Sequence, residues 1–204
     1  MKSNSLSPSS PFHLILAITG ASGACYAGRL LEELGTRPEI RVSIILSRNA
    51  ESIWQDECSI PMPEALHFRY WDLFDFSAPF ASGSNPADAM LVLPCSMGEL
   101  ARIANGVSDN LITRAADVQL KERRPLVLVP REAPYNLIHL RNMTLAAEAG
   151  AIIVPASPSF YHRPNNITEL IAPFIHRLLH LCGATTEYEG FKWGINTVDN
   201  DVEY

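Results

Sequence analysis

Apolar side chains fall into five short unbroken runs: HLILAIT (13–19), IRVSIIL (40–46), AMLVLP (89–94), PLVLVP (125–130) and AIIVP (151–155). Such runs suit parallel strands buried on both faces, whereas half-exposed strands alternate apolar and polar positions. Between and after them, apolar residues recur at helical spacing in CYAGRLLEELG, SRNAESIWQDE, MGELARIANG, SDNLITRAADVQLKERR, YNLIHLRNMTLAAEAG and ITELIAPFIHRLLHLCG. Strand and helix therefore alternate, and the expected fold is a single α/β domain over 13–183, a doubly wound, Rossmann-like, mainly parallel sheet. Ligands of such sheets bind at the carboxyl ends of the strands. The stretch 61–86, with HFRYWDLFDFSAPFASGSNP, breaks the alternation and reads as a lid, a partner surface or a pocket wall.

Composition narrows the class. A chain of 204 residues, 47% hydrophobic and 19% charged, is long enough for one sizeable core. Its net charge of −6 argues against a general nucleic-acid surface, which needs a basic face, so any phosphate site must be local. Cys25, Cys58, Cys95 and Cys182 form no CxxC pair and have no ligand spacing with histidine, so no metal is expected. MKSNSLSPSSPF has neither the apolar core of a signal peptide nor the arginines of an import sequence. No apolar run is long enough to span a membrane. The expectation is a cytoplasmic protein with no membrane or nucleic-acid partner, a disordered start over 1–12 and a tail over 184–204.

Candidate chemistry gathers at the strand ends. ITGASGA follows the first run directly, and its small residues leave first-turn amides of the next helix open to an anion, usually a phosphate. Close packing of strand and helix explains the same glycines equally well. After the second run, Ser47 and Arg48 stand where a dinucleotide-binding unit carries an acidic residue, which weakens a nicotinamide reading; Ser47 suits a phosphate contact or a plain N-cap. Ser96 and Gly98 repeat small polar groups at a helix start. Arg114 and Lys121 share a helical face with Asp117 between them. Arg131 and Glu132 end the fourth run, and Tyr161 and His162 follow the fifth. Glu57, ending a helix without an obvious partner, is expected to be exposed.

In order, the strings ITGASGA, LPCSMGELARIANGVSDNLITRAADVQLKERRPLVLVPREAPYNLIHLRNM, GAIIVPASPSFYHRP and KWG resemble the UbiX-type flavin prenyltransferases, over about residues 13–194. The resemblance implies a flavoprotein-type fold. The activity it implies joins a dimethylallyl group from dimethylallyl phosphate to N5 and C6 of reduced FMN, without metal. The product, prenylated FMN, then serves a UbiD-type decarboxylase. Carried over, Gly20, Ala21 and Ser22 match the flavin-binding loop, Ser47 a flavin-phosphate contact, and Ser96, Met97, Gly98 and Glu99 a second flavin loop. Arg131 is a further flavin contact. Arg114, Lys121, Glu132, Tyr161 and Arg177 match positions around the prenyl phosphate, some contributed by a neighbouring subunit of a homododecamer. Ser22, Glu57 and Glu132 take polar and acid/base roles, and Trp193 matches the aromatic residue of a tail closing over the site. Phe76 stands where some members carry Trp, keeping a π face with a weaker quadrupole interaction.

Two other readings share the flavin site. A flavin-dependent cysteine decarboxylase needs a His shortly before Ala87-Asp88 and a Met-Asn clamp, and neither is present. A non-catalytic FMN-binding or delivery subunit needs none of Glu57, Glu132, Tyr161 and Trp193, all of which this chain retains.

Overall fold

The fully apolar interior of the first run makes it the centre of a parallel sheet. In the computed structural model, which describes residues 11–58, 60–188, 190 and 192, Phe12–Ile18 (β1) is buried from His13 onward. β1 lies between Ile40–Leu46 (β2) and Ala89–Cys95 (β4), pairing Phe12 with Ile40 and Leu14 with Ala89. Phe68–Trp71 (β3), Leu126–Pro130 (β5) and the short Ile152–Ile153 (β6) complete the order β3-β2-β1-β4-β5-β6, with every pairing parallel.

The helices described are Ala24–Gly35 (α1), Ala50–Glu57 (α2), Met97–Ala104 (α3), Leu111–Lys121 (α4), Leu137–Glu148 (α5) and Ile167–Leu181 (α6). Residues on alternate sides of each strand build two cores. Leu14, Leu16, Ile18, Ile44, Leu91 and Val127 meet α1, α2 and α6, through Leu31, Trp54 and Ile175 among others. Ile15, Ala17, Met90, Val92 and Leu128 meet α3, α4 and α5 on the other face. This is the expected doubly wound sheet, with one correction. The 61–86 stretch does break the alternation, since no α-helix separates β3 from β4, but it also contains the sixth strand, β3, on the open edge.

Four of the described helices begin with a side chain that accepts an amide of their own first turn: Ser96 for α3, Asn110 for α4, Asn136 for α5 and Asn166 for α6. α1 is different. Its N-cap is Gly23 at φ 115°, a conformation that L side chains rarely adopt, and no cap comes from that residue.

At the opposite end of the sheet, His13 is buried against Ser43, Trp71 and Phe80. The Ser43 hydroxyl accepts the Trp71 indole N–H at 3.1 Å and shares a hydrogen bond of 2.9 Å with His13 Nε2. Burial, reinforced by the Arg41 charge and opposed by Asp88, lowers the His13 pKa from 6.5 to about 4. Unfolded chains protonate this histidine below pH 6.5 and the folded one does not until about 4, so stability falls as pH drops through that window. The full difference is worth about 3 kcal/mol. Urea unfolding between pH 7 and 4.5 is expected to show this loss, and His13→Gln is expected to flatten the profile by about that amount relative to the wild type.

Candidate functional site

The loops leaving the carboxyl ends of β1 and β4 run to opposite faces of the sheet, and the gap between them is the switch point where doubly wound sheets bind ligands. Thr19, a buried residue directly after β1, bridges that gap. Its hydroxyl donates to Pro94 O at 2.7 Å and accepts from Ser96 N at 2.8 Å, so the two strand ends are held at a fixed separation. Beside it Gly20 approaches α2 so closely that a Cβ would sit 2.7 Å from Asn49 Cβ. Only glycine fits there.

These contacts frame a cleft of about 480 Å³, lined by Gly20, Ser47, Arg48, Asn49, Leu73, Phe74, Ser96, Glu99, Arg102, Asp109 and Asn110. That volume suits a nucleotide-sized ligand. Glu99 is buried in its floor. Burial raises its pKa, against the opposing effects of the Asn110 hydrogen bond and the Arg102 charge. Asn110 Nδ2 donates to Glu99 Oε1 at 3.3 Å, and Arg102 lies 3.5 Å from both Glu99 and Asp109. Arg102 is thus already neutralised by two carboxylates.

A second group of side chains adjoins the cleft through the same Gly20–Ser22 loop. Glu57, at the end of α2, accepts the amides of Gly23 and Ala24 at 2.8 Å each through Oε2, and the Ser22 hydroxyl as well. Partial burial pushes its pKa up, but the Ser22 hydroxyl, the two amides and the nearby Arg131 charge together outweigh burial, and the pKa lies below the ordinary glutamate value. This corrects two expectations. Glu57 is exposed but not without partners, and the first-turn amides of α1 expected to receive a phosphate are occupied by its carboxylate. The packing reading of the glycines holds at Gly20, and the anion at the helix start is the chain's own.

Of the expected flavin contacts, Gly20, Ser47, Ser96 and Glu99 line the cleft together. Ala21 and Met97 are buried beside it, and Gly98 carries only an ordinary contact with Arg102. Arg131 is exposed at the end of β5, its amide donating to Cys95 O at 3.3 Å. The positions assigned to a prenyl phosphate do not meet within the chain. Arg114 and Lys121 lie along α4, where Arg114 donates to Ala81 O at 2.8 Å and pairs with Asp117, and Lys121 pairs with Glu122. Arg177 lies on α6, packed on the other face of the sheet, 5.8 Å from the Tyr188 ring and beside a smaller pocket of about 360 Å³. Glu132 and Tyr161 are exposed on the loops after β5 and β6. Phe76 is exposed next to the cleft wall made by Leu73 and Phe74. Trp193 lies outside the described residues.

Sequence reasoning missed Thr19, Leu73, Phe74, Arg102 and Asn110. A Thr directly after an apolar run and a capping Asn before LITRAA were available as signals; the folding of 72–77 over the cleft was not.

Sheet order, switch-point cleft and small-residue loops together define an α/β nucleotide-binding protein. A family model described as Flavoprotein matches residues 2–176. The flavin prenyltransferase UbiX of Methanocaldococcus jannaschii is 47% identical over 184 residues, covering 89% of this chain and 98% of that one. Among solved structures, AnUbiX in complex with FMN and dimethylallyl pyrophosphate is 38% identical at a TM-score of 0.78, covering 89% of this chain and 99% of that one. A dodecameric FMN-dependent UbiX-like decarboxylase from Escherichia coli O157:H7 is 35% identical at 0.80, with the same coverage. The chain belongs to the Flavoprotein family and, within it, to the UbiX-type flavin prenyltransferases.

Replacing Thr19 by Val keeps its shape but strands the Ser96 amide, while Pro94 O keeps the Thr19 backbone N–H at 3.3 Å. One unpaired group costs about 1–3 kcal/mol. Denaturant unfolding of Thr19→Val is expected to show a loss of about 1–3 kcal/mol, with weaker flavin binding by titration because two of the three hydrogen bonds between the strand ends are gone.

Proposed function

We propose that the protein is a flavin prenyltransferase that binds reduced FMN in the switch-point cleft and joins to its N5 and C6 the dimethylallyl group of dimethylallyl phosphate. The observation that carries the reading is the Glu57 carboxylate, held ionised by Ser22 and two α1 amides at the edge of a cleft whose loops suit FMN. The cleft lining fits the flavin: Ser47 and Ser96 bring hydroxyl groups to a cavity of about 480 Å³. Bound reduced flavin supplies two nucleophilic ring positions.

The chain's own residues do the rest. Loss of an allylic phosphate without metal needs cations at the departing oxygens, the role assigned to Arg114, Lys121 and Arg177. Glu132 relays a proton to the leaving phosphate. Positive charge developing on the allyl group needs a dry, electron-rich wall, assigned to Phe76 and Trp193. Glu57 takes up the proton released at C6; its lowered pKa keeps the carboxylate ionised and ready to accept it, at the cost of some basicity.

Because α4 and α6 pack on opposite faces of one sheet, Arg114 and Lys121 can reach the same phosphate as Arg177 only from another copy of the chain. Exposed apolar side chains on α5, with Ile138 66% and Leu137 60% accessible, supply a surface for such an assembly. The dodecameric relative supports a homododecamer. The prenylated product is destined for a UbiD-type decarboxylase.

Anaerobic incubation with FMN, a reductant and dimethylallyl phosphate is expected to raise the mass of the extracted flavin by one prenyl unit; unmodified FMN would reject the reading. Glu57→Gln is expected to retain FMN and lower product yield by about 100-fold or more. In the wild type, the acid limb of the single-turnover rate is expected below the ordinary glutamate range, since the base works only while ionised and its pKa is lowered.

A further inference from the structure

Pro173 stands inside α6, where it has no N–H to give the carbonyl of Glu169 one turn earlier. A side chain takes that carbonyl instead: His162 Nε2 lies 2.9 Å from Glu169 O. A carbonyl only accepts, so Nε2 carries a proton, and the contact holds whether the ring is neutral or charged. The Glu169 carboxylate gathers the far end of the same loop. Its Oε2 accepts the Asn165 amide at 2.8 Å and Asn165 Nδ2 at 3.0 Å, and its Oε1 accepts Asn166 Nδ2 at 2.9 Å. Between these ties Arg163 is held at φ 51°, a left-handed conformation uncommon for a residue with a side chain, which persists only where its surroundings impose it. The loop is thus fastened to the first turn of α6 at one residue, Glu169.

The loop after β6 and helix α6 face each other across the pocket of about 360 Å³, with Ser157 and Ser159 on the loop side and Pro173, Phe174 and Arg177 on the helix side. Tyr161 precedes His162 on the loop, and Arg177 lies about two turns of helix beyond Glu169. We propose that His162, by donating to the carbonyl that Pro173 leaves without its helical N–H, is a positioning residue that sets the loop carrying Ser157, Ser159 and Tyr161 against Arg177 for an allylic phosphate. This rests on the reading of Tyr161 and Arg177 as prenyl-phosphate contacts and adds to it the device that aligns them. The Glu169 carboxylate ties down only Asn165 and Asn166, at the helix start; of these ties, the His162 bond is the one that reaches the Tyr161 end of the loop. Walls set in place beforehand need less ordering when the ligand arrives.

The test is calorimetric titration of dimethylallyl phosphate into the assembled protein loaded with oxidised FMN, where no transfer consumes it. The wild type is compared with His162→Leu, His162→Gln, Pro173→Ala and the double variant of His162→Leu with Pro173→Ala. Leucine removes the N–H, and glutamine restores one at similar reach. His162→Leu is expected to weaken dimethylallyl phosphate by about 3- to 10-fold, the range of one hydrogen bond, and FMN by less than about twofold. His162→Gln is expected to recover most of that affinity. In turnover with reduced FMN, His162→Leu is expected to raise the KM for dimethylallyl phosphate by a similar factor, with kcat within about twofold of wild type. Pro173→Ala returns an N–H to the Glu169 carbonyl, so His162→Leu is expected to matter less in that background. An unchanged affinity for dimethylallyl phosphate in His162→Leu, a parallel loss of FMN, a glutamine variant no better than leucine, or an effect of equal size in both backgrounds would overturn the inference and leave the prenyl-transfer reading standing. A wild type that does not take up dimethylallyl phosphate removes that reading and the inference with it.

Discussion

A carboxylate at the start of a helix is the interaction on which the site depends. α1 begins on Gly23, which has no side chain to satisfy the first-turn amides, and Glu57 from the end of α2 supplies the missing acceptor. The contact satisfies orphan amides, complements the helix dipole and ties together two helices on the same side of the sheet. It also holds the Glu57 pKa below the ordinary glutamate value. An ionised Glu57 is a base before any ligand arrives, and the cap that stabilises α1 is the same interaction that prepares it.

With those amides occupied, the local positive charge moves elsewhere. The glycine loop, which in many nucleotide-binding folds cradles phosphate, here serves as a narrow spacer: Gly20 lets the chain pass within contact of Asn49, and Thr19 sets the distance to the β4 loop. The cleft so formed is polarised, carboxylates on the α3 and α4 side and an unneutralised cation on the α2 side.

Much of this arrangement was legible in the chain, for a physical reason. Strands buried on both faces must be apolar throughout, so β1, β2, β4 and β5 announced themselves within a residue or two. β3 did not, because an edge strand meets solvent: Arg69 and Tyr70 face outward, and FRYW reads as part of an aromatic loop. β6 shrank from an expected five residues to Ile152 and Ile153 for want of a further partner. Among site residues, Gly20, Ser47, Ser96 and Glu99 were legible because strand ends locate ligands in this topology. The capping role of Glu57 was not, since it joins residues more than thirty positions apart through backbone amides, which carry no residue-type signal.

The same limit explains why the cationic residues looked scattered. Periodicity places Arg114 and Lys121 on one face of α4, and that face points away from the cleft of its own chain, with Arg114 held by Ala81 O and Asp117. Cations spent only on stability need no such placement, because an exposed ion pair contributes little. A lone chain also leaves the apolar side chains of α5 in water at a cost in free energy. Chemistry that must expel a charged leaving group and keep water from a developing cation gains from being closed by a neighbour, since a subunit boundary brings fixed charges and excludes solvent in one step.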